Sequence, residues 1–192
     1  MRKLRASLRE TSEIIKIIDS DSILQNTVGE VINAIVQCFN SGKKVMFCGN
    51  GGSAAEAQHL AAELSGKFYL DRRPLPAEAL HVNSSYITAV ANDYSFDKIY
   101  SRYVSGAGKE GDILIGLSTS GNSENILQAF QAARENKIIT VGLTGMNGGK
   151  LKYLSDFLIQ VPSTVIPKIQ EIHLLLGHII CEEVEKEMFG DE

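Results

Sequence analysis

Two short stretches rich in glycine and hydroxyl side chains could bind an anionic group. The first is CGNGGS at residues 48–53, and it separates an apolar, strand-like run from a helix-like run. The second is STSGNS at residues 118–123, and it separates two runs of the same kinds. A glycine turn between a strand and a helix places backbone N–H groups and the positive end of the helix dipole where a phosphate can bind. The two stretches together predict a pocket for a phosphorylated molecule.

The two stretches differ in how specific they are. The first fits a plain tight turn as well as a ligand loop, and it matches neither a Walker A loop nor a dinucleotide-binding glycine pattern. The second places four hydroxyls around one turn, which can hold a phosphate without a lysine or a metal; they belong to Ser118, Thr119, Ser120 and Ser123. A helix N-cap needs only one such group, which Ser120 or Asn122 could supply. We therefore favour a ligand-binding turn.

A histidine and a glutamate that could transfer protons or bind a metal follow the first stretch. His59 and Glu63 are four residues apart in a helix-like run, so the imidazole and the carboxylate share one helix face. Glu56 lies on the same stripe and could join them. A His–Glu pair on a helix is usually a surface pair, and its role depends on what else the fold brings to it.

The last long apolar segment carries Gln170, Glu171, His173 and His178. On a helical wheel Glu171 lies about 20° from His178, whereas Gln170 lies about 80° away. The wheel alone therefore favours Glu171 over Gln170 as the companion of His178. Two histidines, a carboxylate and one more oxygen ligand could form a tetrahedral metal site, although a histidine in an apolar stripe is more often a core residue with satisfied hydrogen bonds.

Strand-like and helix-like segments alternate after the first 41 residues. The strand-like segments are 43–48, 77–82, 112–117, 138–143 and 157–161, and the helix-like segments are 53–64, 85–92, 96–106, 123–136, 149–154 and 168–188. This alternation predicts a parallel sheet covered by helices on both faces. Such sheets bind ligands outside the carboxyl ends of their strands, and both anion-binding stretches lie at strand ends of that kind.

Residues 2–41 have apolar residues at helical spacing, with a helix start at Ser20 or Asp21. The 192 residues are 44% hydrophobic and carry a net charge of −4, which fits one soluble domain and disfavours nucleic acid as a ligand. We expect a cytoplasmic protein with no membrane partner, because neither a membrane-spanning run nor a signal segment is present. The scattered Cys38, Cys48 and Cys181 are expected to be buried, reduced thiols.

The chain resembles the phosphoheptose isomerases, which are sugar isomerase (SIS) domain enzymes acting on sedoheptulose 7-phosphate. The segments that carry the resemblance are CGNGGSAAEAQHLAAELSG, AVANDYSFDKIYSRYV, GDILIGLSTSGNSENIL, LTGMNGGK and IQEIHLLLGHIICEEVEKE. They occur in the family's order and spacing over nearly the whole chain. The resemblance implies an α/β fold in which a three-layer, doubly wound sandwich of the flavodoxin-like SIS type holds a five-stranded parallel sheet. It also implies one domain over 1–192, with an N-terminal helical oligomerisation segment (1–41) and an α/β core (42–192) that ends in a long helix.

The resemblance further implies a role for each site residue. Glu63 would be the catalytic base and His178 its acid–base partner. One zinc ion per subunit would be bound by His59, Glu63, Gln170 and His178, so the family pattern overrules the wheel's preference for Glu171. The substrate would be bound by Asn50, Gly51, Gly52, Ser53, Glu63, Asn92, Asp93, Ser118, Thr119, Ser120, Ser123 and Gln170. Family members are homotetramers with active sites at subunit contacts, and their N-terminal helices help assembly.

The expected reaction converts sedoheptulose 7-phosphate to D-glycero-D-manno-heptose 7-phosphate, the first step toward nucleotide-activated heptose. One alternative is the family's non-enzymatic cousin, the bacterial replication-initiator-associating protein, which lacks the acid–base pair. Another is a SIS domain that only senses a sugar phosphate, although no DNA-binding extension is attached. Glu63 and His178 favour the enzyme. The chain departs from the family at Lys67 and Lys168, where arginines are usual, and a lysine lacks the planar fork of arginine.

Overall fold

Helices and strands alternate along the computed structural model, which describes residues 2–190. The helices are α1 (Arg2–Ser20), α2 (Ser22–Asn40), α3 (Gly52–Ser65), α4 (Ser84–Asp93), α5 (Ile99–Ala107), α6 (Glu124–Glu135) and α7 (Ile166–Phe189). The strands are β1 (Val45–Gly49), β2 (Ala77–Ala79), β3 (Ile113–Leu117), β4 (Ile139–Gly145) and β5 (Phe157–Val161). Met1, Asp191 and Glu192, which the predicted domain includes, lie outside the described residues.

The five strands form one parallel sheet in the order β2-β1-β3-β4-β5. This is the flavodoxin-like order, in which the chain changes direction across the sheet between β1 and β3. These two strands pair in register from Val45 with Ile113 to Gly49 with Leu117. The turns that follow them therefore begin side by side at the carboxyl edge of the sheet, where this fold binds ligands. The predicted fold class is confirmed.

Alternate residues of the buried strands enter two separate cores. Val45 and Phe47 of β1 pack into the core that includes residues of α2, α3 and α7, whereas Met46 and Cys48 pack into the core formed with α4, α5 and α6. The strands read as continuous apolar runs because both of their faces are buried. The three cysteines are free and buried, as predicted.

The N-terminal residues form two helices, as their spacing predicts. Asp21 caps α2, because its Oδ1 accepts hydrogen bonds from the backbone N–H groups of Ile23 (3.1 Å) and Leu24 (3.0 Å). Of the residues in α1, Ile14 alone is buried, and Leu4 and Leu8 are about three-fifths exposed, at 61% and 62%. Among residues 2–190, no helix has the length and apolar character that crossing a membrane requires.

The prediction of a helix over 149–154 is wrong. Only a 3-10 turn forms there, at Leu151–Tyr153. Gly149 has a positive φ of 56°, which a regular helix does not use. The backbone N–H of Leu151 donates to the carbonyl of Gly121, and that of Lys150 donates to Asn122 Oδ1. This segment therefore braces the second anion-binding turn instead of continuing as a helix.

Candidate active site

The first anion-binding turn joins β1 to α3. Gly51 is the N-cap residue of α3, with φ +56°, and no side chain caps this helix end. The turn is anchored from below, because the buried Tyr100 hydroxyl donates a hydrogen bond to the Gly49 carbonyl. A Cβ atom at Gly52 would lie 2.4 Å from Gln170 Nε2. Glycine at position 52 therefore lets the amide of Gln170, on α7, lie directly against the turn.

The second turn joins β3 to α6 and points its hydroxyls toward one another. Ser118 Oγ lies 3.1 Å from Ser123 Oγ, and Ser120 Oγ accepts a hydrogen bond from the Asn122 N–H at 3.2 Å. Ser123 is the N-cap residue of α6, but neither it nor another side chain caps the helix. By contrast, the N–H of Tyr86 in α4 is capped by the side chain of Asn83. The start of α6 thus keeps backbone N–H groups available for an anion.

A buried amide pair connects the two turns. Asn50 Nδ2 donates to Asn125 Oδ1, and Asn125 Nδ2 donates to Asn50 Oδ1, both at 2.8 Å. Asn125 is 2% exposed and lies in the first turn of α6. Sequence reasoning missed this residue; its one signal was an amide beside the apolar Ile126 and Leu127, at a position that the fold buries. Asn50 is consequently a link between the two turns as well as a predicted substrate contact.

His59, Glu63 and His178 converge in one cluster. His59 Nε2 lies 2.8 Å from His178 Nε2 and 3.2 Å from Glu63 Oε1. One donor atom from each of the three lies within 4.8 Å of the others. The predicted base and its acid–base partner are therefore brought together, although 115 residues separate them in the sequence.

The approach of α3 to α7 makes this cluster possible. A Cβ atom at Gly177 would lie 2.6 Å from Leu60 Cδ1, so any larger residue would push the two helices apart. Leu60 follows His59 and Gly177 precedes His178. The close approach thus occurs beside the two imidazoles, and it allows their ring nitrogens to meet.

The cluster fits a divalent metal such as zinc. Two imidazole nitrogens and one carboxylate oxygen are a common ligand set for catalytic zinc, which keeps its remaining position open. Metal–ligand distances of about 2.0–2.2 Å place neighbouring ligand atoms roughly 3–3.6 Å apart, close to the distances between His59 and its two neighbours. Glu63 is partly buried and His59 is exposed, so the cluster is open to solvent on one side.

Gln170 and Glu171 point to different places. Gln170 Nε2 lies 3.5 Å from Ser53 Oγ at the first turn. Glu171 accepts hydrogen bonds from Lys168 Nζ (2.8 Å) and Thr11 Oγ1 (3.0 Å), and the hydrogen bond from Lys168 lowers the pKa of Glu171. The wheel's preference for Glu171 as the companion of His178 is therefore wrong. A wheel gives only the direction around the helix axis, and Glu171 finds its partners in Lys168 and Thr11.

The two lysines that stand at usual arginine positions differ in their surroundings. Lys168 is buried, and its Nζ also donates to Ser7 Oγ at 2.7 Å. Lys168 thus ties α7 to α1. Lys67 is exposed in the segment after α3.

Glu56 faces His173 and does not join the His59 cluster. Glu56 Oε2 lies 3.9 Å from His173 Nδ1. His173 Nε2 donates to the Thr144 carbonyl at 3.2 Å, because a carbonyl can only accept. Burial raises the pKa of Glu56 to about 7 and lowers that of His173 to about 4. The sequence gives no signal that separates this largely buried pair from the more accessible cluster on the same two helices.

Asn92 and Asp93 are paired with each other at the end of α4. They end α4, are exposed, and are linked to each other by a hydrogen bond of 2.9 Å from Asn92 Nδ2 to Asp93 Oδ1. Neither side chain makes a hydrogen bond to another predicted site residue within the described part of the chain. Their role in substrate binding stays a prediction.

Comparisons with known proteins agree with this geometry. The family model described as "SIS domain" matches residues 11–145. A phosphoheptose isomerase of Clostridium acetobutylicum is 48% identical over 99% of this chain and 95% of its own, and one of Rhodospirillum rubrum is 53% identical over 82% and 84%. The structure of a phosphoheptose isomerase from Francisella tularensis superposes with a TM-score of 0.91, at 37% identity, and the match covers 96% of this chain and 97% of that one. The chain therefore belongs to the phosphoheptose isomerases of the SIS domain family, which are isomerase enzymes.

Proposed function

We propose that this enzyme converts sedoheptulose 7-phosphate to D-glycero-D-manno-heptose 7-phosphate, the first step toward nucleotide-activated heptose. The observation that carries the proposal is the convergence of a carboxylate and an imidazole, from Glu63 and His178, within 4.8 Å. A ketose–aldose isomerisation needs such a pair, because one proton moves between adjacent carbons while another moves between their oxygens. The phosphoheptose isomerases named above support the choice of substrate.

In the proposed reaction Glu63 takes a proton from C1 of the ketose and returns it to C2. His178 gives a proton to the C2 oxygen as the enediol forms, and it takes one from the C1 hydroxyl as the aldehyde forms. Both residues end in their starting protonation states, so that the enzyme is ready for another turnover. The two groups must reach the same pair of carbons, which their separation allows.

We propose that the phosphate binds at the second turn. In the substrate the phosphate is on C7, at the opposite end of the sugar from the reacting carbons C1 and C2. The hydroxyls of Ser118, Thr119, Ser120 and Ser123 and the uncapped start of α6 supply the donors. The first turn would contact the sugar through Asn50, Gly51, Gly52 and Ser53, with Gln170 beside it and Asn92 and Asp93 as further contacts. Neutral donors suit a substrate that must leave after each turnover.

We further propose one zinc ion per subunit, bound by His59, Glu63, Gln170 and His178. A bound metal supplies polarisation of the carbonyl and stabilises negative charge on the enediolate. A carboxylate has two oxygens, so Glu63 can give one to the ligand set and accept the carbon-bound proton with the other. Thermal unfolding with added Zn²⁺ or with a chelator tests the site. We expect Zn²⁺ to raise Tm in the native protein and to leave Tm unchanged in His59→Gln.

A cytoplasmic homotetramer, with active sites at subunit contacts, completes the proposal. The exposed apolar residues of α1 support assembly through the N-terminal helices, because a monomer would leave them in water; they include Leu4, Leu8, Ile15 and Ile17. Sedimentation velocity tests the oligomeric state. A monomer at micromolar concentration would contradict this part of the proposal and leave the proposed chemistry untouched.

The decisive experiment is a direct assay of the purified protein with sedoheptulose 7-phosphate, with calorimetry on the same sample. We expect saturable formation of the aldose phosphate. Binding without turnover in the presence of Zn²⁺ would overturn the proposed function and favour a protein that only senses a sugar phosphate. Absence of binding would overturn the assignment of both turns.

A further inference from the structure

The segment that follows α3 lies beside the acid–base pair but has no regular secondary structure. Residues 66–76 connect α3 to β2 and form neither helix nor strand. The ring of Phe68 in this segment lies 5.8 Å from the ring of His178, centroid to centroid, with an interplanar angle of 35°. Backbone hydrogen bonds to α3 and β1 hold only the two ends of this segment, at Gly66, Leu75 and Pro76, and a side chain holds the backbone at Phe68.

Glu185 of α7 holds the first part of the segment. Its carboxylate accepts hydrogen bonds from the backbone N–H groups of Phe68 (3.0 Å), Tyr69 (2.7 Å) and Leu70 (2.9 Å). Arg72 Nε donates to the same carboxylate at 2.9 Å, and both side chains are only 1% exposed. Burial by itself would raise the pKa of Glu185, but the three N–H groups and Arg72 outweigh burial and lower it.

Arg72 holds the other side of the segment by capping the end of α3. Its guanidinium donates to the carbonyls of Glu63 (3.0 Å), Leu64 (2.9 Å) and Gly66 (3.0 Å). The last carbonyls of a helix have no partners within the helix, so a buried helix end needs donors of this kind. One of the carbonyls that Arg72 binds belongs to the proposed base, and α3 also carries His59.

The ion pair connects α7 to the end of α3 through the guanidinium of Arg72, which binds Glu185 and the carbonyls of Glu63 and Leu64. Glu185 lies seven residues after His178 on α7, so the two side chains share one stripe, about 20° apart around the helix. The helices α3 and α7 are therefore linked twice along this stripe, directly at 2.8 Å between the imidazoles, and indirectly through Arg72, which lies 2.9 Å from Glu185 and 3.0 Å from the Glu63 carbonyl. The second link fixes the helix end that carries Glu63 and the segment that carries Phe68.

We infer that Arg72 and Glu185 are positioning residues, which set the placement of Glu63 relative to His178 and hold Phe68 against the His178 ring. The catalytic part of this inference rests on the proposed function. A buried ion pair often stabilises a fold no more than apolar residues of the same volume. The contribution of this pair is the single arrangement that its hydrogen bonds impose on the backbone next to the acid–base pair.

The test compares Glu185→Gln with Asp112→Asn. Asp112 is a matched control, because it is also buried and accepts backbone N–H groups, from Lys44 and Lys109, at the opposite edge of the sheet. Trypsin cleavage after the exposed Lys67 reports local opening of the segment, and NMR of the His178 ring reports the contact with Phe68. Both readouts are independent of turnover.

For Glu185→Gln we expect cleavage after Lys67 to be at least tenfold faster than in Asp112→Asn, and a shifted His178 ring signal. We expect kcat for sedoheptulose 7-phosphate to fall by about 10- to 100-fold with KM changed less than threefold, as for loss of an interaction that acts on the transition state. If Glu185→Gln does not fold, Arg72→Lys serves in its place, because it keeps the charge and removes the fork.

Wild-type cleavage, ring signal and kcat in a folded Glu185→Gln or Arg72→Lys protein would overturn the inference. Equal losses in Asp112→Asn would overturn it as well, because they would reduce the effect to general destabilisation. If the native enzyme does not turn over this sugar, the proposed function fails, while the cleavage and NMR comparisons still decide the role of the pair.

Discussion

The amino edge and the carboxyl edge of the sheet use their polar side chains differently. At the amino edge, Asp112 accepts the N–H groups of Lys44 (3.1 Å) and Lys109 (2.9 Å). Asp156 at the same edge accepts the N–H (2.8 Å) and the hydroxyl (2.9 Å) of Thr140. These carboxylates satisfy donors of the chain itself, and so they stabilise the starts of strands.

At the carboxyl edge, two helix starts lack such partners. The helices α3 and α6 have no side-chain cap, whereas Asn83 caps α4 at the same edge, and the Ser118 and Ser123 hydroxyls lie against each other. Buried polar groups are normally satisfied by the protein itself. The two uncapped helix starts are the places where the proposed function puts the substrate.

The largest effect is expected at the carboxyl edge from Glu63→Gln. Glutamine keeps the size of the side chain but cannot accept the carbon-bound proton, so kcat should fall by about 10²–10⁴-fold, as for loss of a general base. Steady-state assays with sedoheptulose 7-phosphate give kcat, and calorimetry gives the affinity, which should change little. A near-native rate would show that Glu63 is not the base. It would also contradict a functional role for this carboxylate at the carboxyl edge.

The next effect concerns the second turn. Ser120→Ala and Ser123→Ala each remove a hydrogen bond to a charged phosphate, worth roughly 1.5–3 kcal/mol, and should weaken substrate binding accordingly. Calorimetry with sedoheptulose 7-phosphate checks this. Ser155→Ala is the matched control at the amino edge, where the hydroxyl donates to the Leu151 carbonyl, and its affinity should equal that of the native protein. Equal weakening in all three variants would contradict the contrast between the edges.

At the amino edge, Asp112→Asn should lower the free energy of unfolding by about 1–3 kcal/mol, because two backbone donors lose a charged acceptor. Urea unfolding measures the loss. The kcat and KM of the folded variant should stay within twofold of the native values. A large loss of kcat at undiminished stability would show that the amino edge takes part in function.

The last expected effect is a pH dependence of stability that comes from Glu56. This residue lies on α3 together with Glu63, so the test compares two carboxylates of one helix. Folded Glu56 is protonated up to about pH 7, whereas in the unfolded chain it ionises near pH 4.5. Folding therefore takes up a proton between these values, and the stability that this group contributes falls as the pH rises through the window. Glu56→Gln cannot titrate, so its stability relative to the native protein should rise by about 2–3 kcal/mol from pH 4.5 to 7.

Urea unfolding of both proteins across that range gives the difference directly. A difference between Glu56→Gln and the native protein that is flat across the range would contradict an uncharged Glu56.

The sequence predicts the sheet well because strands buried on both faces are continuous apolar runs. The run 157–161 has the bounds of β5, and the run 112–117 begins one residue before β3. The sequence predicts the conformation of residues 149–154 poorly. The backbone N–H groups of Lys150 and Leu151 donate to Asn122 and Gly121, which lie far away in the sequence. Local patterns carry no information about partners of that kind.

The candidate site shows the same division. Spacing places His59 and Glu63 on one face, but it does not show that His178 meets them. Asn125 and Glu185 were missed because their partners lie 75 and 113 residues away. Resemblance to a family supplied Gln170, where the helical wheel pointed to Glu171. Side-chain contacts between residues far apart in the sequence depend on the topology of the fold. Local sequence patterns do not show which of those residues meet.

The position of α7 after both anion-binding turns in the chain has a consequence for biosynthesis. A ribosome releases the chain from its amino end, so both anion-binding turns emerge before Ile166, where α7 begins. Until α7 docks, the nascent protein lacks His178 and Glu185, and the apolar side of α2 that α7 covers stays bare. Exposed apolar surface of this kind attracts chaperones and promotes aggregation. Docking of α7 therefore completes the proposed acid–base pair and buries that surface in one event, so a chain terminated before α7 would lack His178 and leave the apolar surface exposed.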